Sequence, residues 1–320
     1  MTMNAISKIN NSVNKAGNNP ALLYLIELSE TGCYTMAQSL NTLARLMSDG
    51  LATAESYPWH ELRYQHVTAI RAKLETMNYK PATINKMLAA VRGTIRAAWR
   101  DGQISAEDYH KAVSVKSVKS SELPAGRELQ SGELTALLDA CENDQSIAGT
   151  RDAAIIALMY SCGLRRDEVI KLELSDYETD TGKMTVKGKG KKERVSWLTG
   201  GAALALADWL NIRGDTIGGL FVPINKGGRI TSYGRMTSKA IYNMLQKRAD
   251  EAGVKHFSPH DIRRTFVSDL LDAGADIVTV SKMAGHANVA TTARYDRRPE
   301  EAKRKAAGLL HVPYRGRVTQ

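Results

Sequence analysis

The sequence predicts a mainly α-helical protein of two domains, an all-α first domain and a mixed α/β second domain with a small antiparallel sheet. Three observations lead there. The chain has 320 residues, enough for two domains at about 100–200 residues each. Residues 19–112 carry helical periodicity and no strand pattern. At 113–127 (VSVKSVKSSELPAGR) the periodicity stops in a Ser/Lys-rich stretch ending in Pro-Ala-Gly, the signature of a linker. Beyond it, over 128–313, helical patterns alternate with short strand patterns, followed by a polar tail at 314–320.

Taken in order, residues 1–18 are Asn-rich and polar and read as a flexible arm. Asn19-Pro20 starts a helix, with a capping side chain followed by proline at the first helical position. Helices follow at about 35–48, 60–77, 81–101 and 105–112. The fourth is marked by Ile84, Leu88, Val91 and Ile95 at three- and four-residue spacing. In the second domain, helices are expected at about 131–141, 150–162, 166–173, 201–213, 235–252, 259–274, 277–284 and 287–295. The segments 183–187 and 193–198 flank Gly-Lys-Gly-Lys-Lys and read as a β-hairpin. Pro299–Leu310 forms a last amphipathic piece.

Composition narrows the function. Forty-four basic and 34 acidic residues leave a net charge of +10. Residues 1–112 hold 12 basic and 9 acidic residues, so residues 113–320 hold the other 32 and 25. Both blocks are basic, which points to a polyanionic partner touching both. Cys33, Cys141 and Cys162 are too few and too scattered for a disulfide framework or a cysteine zinc site. No apolar run approaches the 18 or so residues of a membrane span, and the N-terminus lacks the apolar core of a signal peptide, so a cytoplasmic protein is expected. Phosphate-binding glycine loops, HExxH and carboxylate clusters for paired metals are missing from the sequence. Nucleic-acid chemistry, if present, is expected to run without metal or another cofactor.

Four motifs of the second block carry reactive side chains. Gly163-Leu-Arg165-Arg166-Asp167-Glu168 puts an arginine at a helix junction with a carboxylate three residues on. Taken alone it is a capped surface arginine or an arginine fork aimed at phosphate. Lys183 to Arg194 packs six cations, including Lys187, Lys189, Lys191, Lys192 and Arg194, around a hairpin turn. Such a tip is either a solvated charge cluster or a groove-entering proton donor. Ser258-Pro-His260-Asp261-Ile-Arg263 starts a helix with a capping box, which places His260 in the first turn with Arg263 on its face. Gly285-His286 closes the next helix, and Tyr295 follows nine residues later.

In one order and one domain, GLRRDE, GKGKKER, HDIRR and GHANVATTARY together resemble the tyrosine recombinases, the lambda-integrase family. The resemblance covers about 128–310, and the all-α block resembles the core-binding domain that precedes the catalytic domain in that family. It implies Tyr295 as nucleophile, Arg165 and Arg263 as clamps on the scissile phosphate, and Lys189 as general acid. His260 and His286 would complete the pocket, and Glu168 would support Arg165. Double-stranded DNA would be held by Lys187, Lys191, Lys192, Arg194, Arg92 and Arg96. The resemblance further implies a homotetramer on paired recombination sites, joined through 299–310, and a nucleoid location when bound to DNA. Asp167 stands where the family often has Ser, Arg166 adds a charge beside the clamp, and His286 is a Trp in some members. The 18 residues before the first helix leave no room for the arm-type DNA-binding domain of many phage integrases. Two alternatives stand beside it: a type IB topoisomerase, which uses the same chemistry to relax one duplex, and a non-catalytic DNA-binding regulator on a recombinase scaffold.

Overall fold

The computed structural model describes residues 18–119, 126–188 and 193–295, together with 304, 307, 308 and 313. The chain divides into two compact units, Met1–Glu122 and Leu123–Gln320. The expected arm (1–18), most of the Pro299–Leu310 segment and the tail lie outside the described residues.

The first unit contains α1 (Pro20–Ile26), α2 (Glu30–Met47), α3 (Tyr64–Thr76), α4 (Pro81–Arg100) and α5 (Ala106–Val113). The Asn19 side chain accepts from the backbone N–H of Ala21 and Leu22 at 2.8 and 3.1 Å, fixing where α1 begins. Helix α4 buries Ile84, Leu88, Val91, Ile95 and Ala98 and packs against the other four helices. Gly93 lets α1 approach, since a Cβ there would collide with the Tyr24 ring. Helix α2 starts five residues earlier than the sequence predicts. Its opening Glu-Thr-Gly-Cys-Tyr contains poor helix formers, and packing of Cys33 and Met36 on the core overrides propensity. The expected helix at 60–77 is a short 3₁₀ turn, Trp59–Glu61, and then α3, because Leu62 is extended at φ −66°, ψ 133°.

Both described ends of the expected linker are tied down. Val115 is buried in the first core. Asn85 and Val118 exchange two hydrogen bonds, of 2.9 and 2.8 Å. At the far end, the Arg127 N–H donates to Asp261 of the second unit at 3.0 Å.

The second unit is built on α7 (Ile147–Ser161), whose Ala154, Ile155, Ile156, Leu158 and Met159 are buried. Around it pack α6 (Glu133–Asn143), α9 (Gly200–Arg213) and α11 (Pro259–Asp272). The remaining helices are α8 (Arg166–Val169), α10 (Ser238–Glu251), α12 (Ile277–Ala284) and α13 (Val289–Ala293). The sheet is antiparallel in the order β1 (Tyr177–Glu178), β2 (Lys183–Lys187), β3 (Glu193–Trp197), with Val186 opposite Arg194 and Lys187 opposite Glu193. The two-residue β1 was not expected; it is too short to show alternation. A buried ion network pins α6, α7 and α10. Arg248, fully buried, donates to Asp144 at 2.7 Å, to Asp152 at 2.8 and 3.0 Å and to Glu251 at 2.8 Å.

Candidate active site

Three chain turns deliver the candidate site residues. Helix α7 ends at Ser161, and two residues on stands Gly163, whose φ of +56° and close approach to the Phe266 ring favour glycine; from there the chain reverses into Arg165 at the start of α8. Ser258 and Asp261 cap α11 reciprocally, and Pro259 holds its first turn, which carries His260. Helix α12 closes on Gly285 at φ +63°. The Gly285 N–H donates to Lys282 O and the His286 N–H to Ser281 O, both at 2.9 Å, a Schellman closure that aims His286.

The structure brings Arg165, Glu168, His260, Arg263, His286 and Tyr295 together. Arg165 is half-exposed; its Nη1 donates to Glu168 at 2.8 Å and its Nη2 to the Gly285 carbonyl at 3.2 Å. Arg263 is 1% exposed and donates to the Gly163 carbonyl at 2.6 Å. Its Nε and Nη2 are buried with no partner among the described residues. Burial, and then the charge of Arg165, push the Arg263 pKa down to about 9, so the guanidinium remains charged at neutral pH. The two arginines, His260, Ser258, Arg166 and Tyr242 line a cleft of about 370 Å³. A larger hollow of about 540 Å³ lies in the first unit beside α3, but its Arg71 is already engaged by Glu75 and the Lys116 carbonyl.

Tyr295 is buried against Phe266, Val267, Leu271 and Val280. Its hydroxyl lies 3.4 Å from His260 Nε2, its ring centroid 6.4 Å from that of His286, and the Arg264 guanidinium sits 5.6 Å over its face. Burial, and then Arg263 and Arg264, push the His260 pKa down. Burial, and then Arg263 and Arg165, push His286 down to about 4. Both imidazoles are therefore neutral near pH 7. His286 Nδ1 lies 2.8 Å from the hydroxyl of Thr292, which is wholly buried. Sequence reasoning gave Arg264 and Thr292 no role; the signal for both was their place inside the third and fourth motifs.

The expected DNA-contacting residues fare differently. Lys189, Lys191 and Lys192 lie outside the described residues. Lys187 is half-exposed and paired with Asp176 at 2.7 Å. Arg92 donates to the Val115 carbonyl and, at 3.5 Å, to Ser117; Arg96 is exposed, its Nε 3.4 Å from the Tyr109 hydroxyl. Arg194, also expected to contact DNA, is engaged within the protein. Its guanidinium points inward, donating to Glu168 at 3.0 and 2.9 Å and to the Met283 carbonyl at 3.0 Å. Alternation puts Arg194 and Ser196 on the buried face of β3 and leaves Val195 and Trp197 outside, the reverse of a hydrophobic reading of ERVSW.

A tyrosine beside a neutral imidazole, with two guanidinium groups at the adjoining cleft, is a set of side chains suited to act on a phosphate. Comparison with known proteins agrees. The phage integrase family matches residues 127–301. Tyrosine recombinase XerC of Alcanivorax borkumensis is 30% identical over 264 residues, covering 80% of this chain and 82% of that protein. XerC of Pseudomonas aeruginosa is 31% identical over 291 residues, covering 84% and 91%. Among solved structures, the XerH recombinase in a post-cleavage complex with its palindromic difH substrate superposes with a TM-score of 0.68. It is 20% identical, over 96% of this chain and 89% of that one. A lambda integrase dimer bound to a COC′ core site gives 0.60 at 13% identity, over 85% and 92%. The chain therefore belongs to the phage integrase family and is a site-specific DNA recombinase of the tyrosine type.

Proposed function

We propose that the second unit cuts and rejoins duplex DNA through a covalent bond on Tyr295, without metal or ATP. The observation that carries this is the Tyr295 hydroxyl beside Nε2 of His260, which lines the cleft where Arg263 keeps two buried guanidinium nitrogens without a partner among the described residues. Tyr295 Oη attacks the scissile phosphorus and gives its proton to neutral His260. Arg165 and Arg263 receive the charge that gathers on the non-bridging oxygens. The P–O5′ bond breaks, the leaving oxygen takes a proton from Lys189, and a 3′-phosphotyrosyl bond and a free 5′-hydroxyl result. The guanidinium pair supplies the charge stabilisation that a metal would otherwise provide. Because the ester energy is stored on the protein, a 5′-hydroxyl from a second duplex reverses the step on a new partner. Two such exchanges in sequence pass through a Holliday junction.

The protein would act as a homotetramer on paired sites, joined through 299–310, with the basic first unit contributing Arg96 and Arg92 to the duplex. Phosphate contacts of this kind give a steep salt dependence. The test uses duplexes from the gene's own genetic neighbourhood, incubated with wild type and with Tyr295→Phe. A protein–DNA adduct that survives denaturation, maps to Tyr295 by mass spectrometry and vanishes in Tyr295→Phe supports the reading. Tight binding without any adduct on nicked substrates would overturn it in favour of a DNA-binding regulator. Relaxation of plasmids that carry no site would favour the topoisomerase.

A further inference from the structure

We propose that Arg194 is a positioning residue for the Arg165 clamp, tying the base of the hairpin to both supports of that guanidinium; this rests on the reading of Arg165 given above. Arg194 stands on the inward face of β3, opposite buried Val186, with only 12% of its side chain exposed. Two of its donors reach the two oxygens of Glu168. The same two oxygens accept from the Arg165 N–H and from Arg165 Nη1. Four donors saturate a carboxylate, which fixes its plane. The third Arg194 donor, Nε, reaches the Met283 carbonyl. A Cβ on Gly285 would lie only 3.2 Å from Arg194 Cδ, and the Gly285 carbonyl is the other support of Arg165. The contacts close a ring: β3 to Glu168, Glu168 to Arg165, Arg165 to the Gly285 turn, and that turn back to Arg194.

Buried Glu168 is pulled two ways. Burial raises its pKa, but the hydrogen bonds from Arg194 and Arg165 outweigh that and hold it below the usual carboxylate range. Without Arg194 the carboxylate keeps one cation, Arg165, and draws it away from the phosphate. Misplacement of a catalytic group by about 1 Å costs on the order of 100-fold in rate. Lysine cannot replace the fork, because a single ammonium cannot bond both oxygens in one plane.

The experiment measures single-turnover formation of the Tyr295 adduct on a nicked duplex, together with DNA affinity over a salt series. The proteins are wild type, Arg165→Met, Arg194→Met, Arg194→Lys and the double methionine variant. Arg194→Met is expected to slow adduct formation about 100-fold and to leave the salt slope of binding unchanged. Arg194→Lys should stay slow, and it retains a cation should the methionine variant fail to fold. The double variant should be no slower than Arg165→Met within about twofold, because Arg194 acts through Arg165. Multiplied defects, or a salt slope smaller by about one, would make Arg194 an independent contact and overturn the proposal. So would a lower melting temperature with an unchanged rate. If Arg165→Met itself cleaves like wild type, the clamp reading has failed instead.

Discussion

Arg248 and Arg263 are both buried guanidinium groups of the same unit, at 0% and 1% exposure, and they are treated in opposite ways. Arg248 meets three carboxylates, Asp144, Asp152 and Glu251, and these hold its pKa above the ordinary arginine value despite burial. Arg263 has one carbonyl, a like charge nearby, two nitrogens unpartnered among the described residues, and a depressed pKa. The first is part of the fold. The second fits the proposed chemistry, in which an arriving phosphate would meet its unpartnered nitrogens and the cleft would need an unneutralised fork.

The comparison predicts a crossed pair of mutant effects. Arg263→Met should lower single-turnover cleavage by about 10²–10³-fold, the scale for losing one preorganised donor to transition-state charge. Its urea-unfolding free energy should hold or rise, since unsatisfied buried donors are removed. Arg248→Met should cost about 3–5 kcal/mol of stability by leaving buried Asp152 and its neighbours short of a cation. Below its melting temperature it should cleave at close to the wild-type rate. Equal losses of stability and rate in both variants would erase the distinction.

Acid separates the two regions by smaller effects. The folded pKa of His286 is depressed, so between the ordinary value of 6.5 and about 4 the unfolded chain binds a proton that the pocket refuses. Stability should fall as pH drops through that window, and His286→Gln should flatten the slope. Asp144 is depressed from 3.8 to about 2, held there by Ser146 and Arg248 against the opposing effect of burial. Its contribution is present above 3.8 and disappears as pH falls toward 2, so Asp144→Asn should lower stability across the range above 3.8 and flatten the slope only on this lower limb. Urea midpoints from pH 8 to 2 check both. Smallest of all, the proposed chemistry predicts equal adduct yield in EDTA and in magnesium.

What the sequence shows, and what it hides, follows from where the information sits. Gly163, Ser258-Pro259 and Gly285 are boundary signals with local causes, so the placement of Arg165, His260 and His286 at element ends was legible. Residues drawn together by distant packing were not. Arg194 looks like one more cation of a charged hairpin; only the register with Val186 and the buried Glu168 turn it inward. Lys187 carries the same composition signal yet pairs with Asp176, eleven residues before it. The early start of α2 reflects core packing that no window of propensity contains.

The most direct test of the central claim replaces the scissile phosphate with a methylphosphonate, which lacks the non-bridging charge that Arg263 is held ready to meet. Adduct formation is then compared for wild type and Arg263→Met on the normal and the neutral duplex. The Arg263→Met defect, about 10²–10³-fold on phosphate, should shrink to about tenfold or less on methylphosphonate. A defect of the same size on both duplexes would contradict it and make Arg263 a support of the pocket's shape.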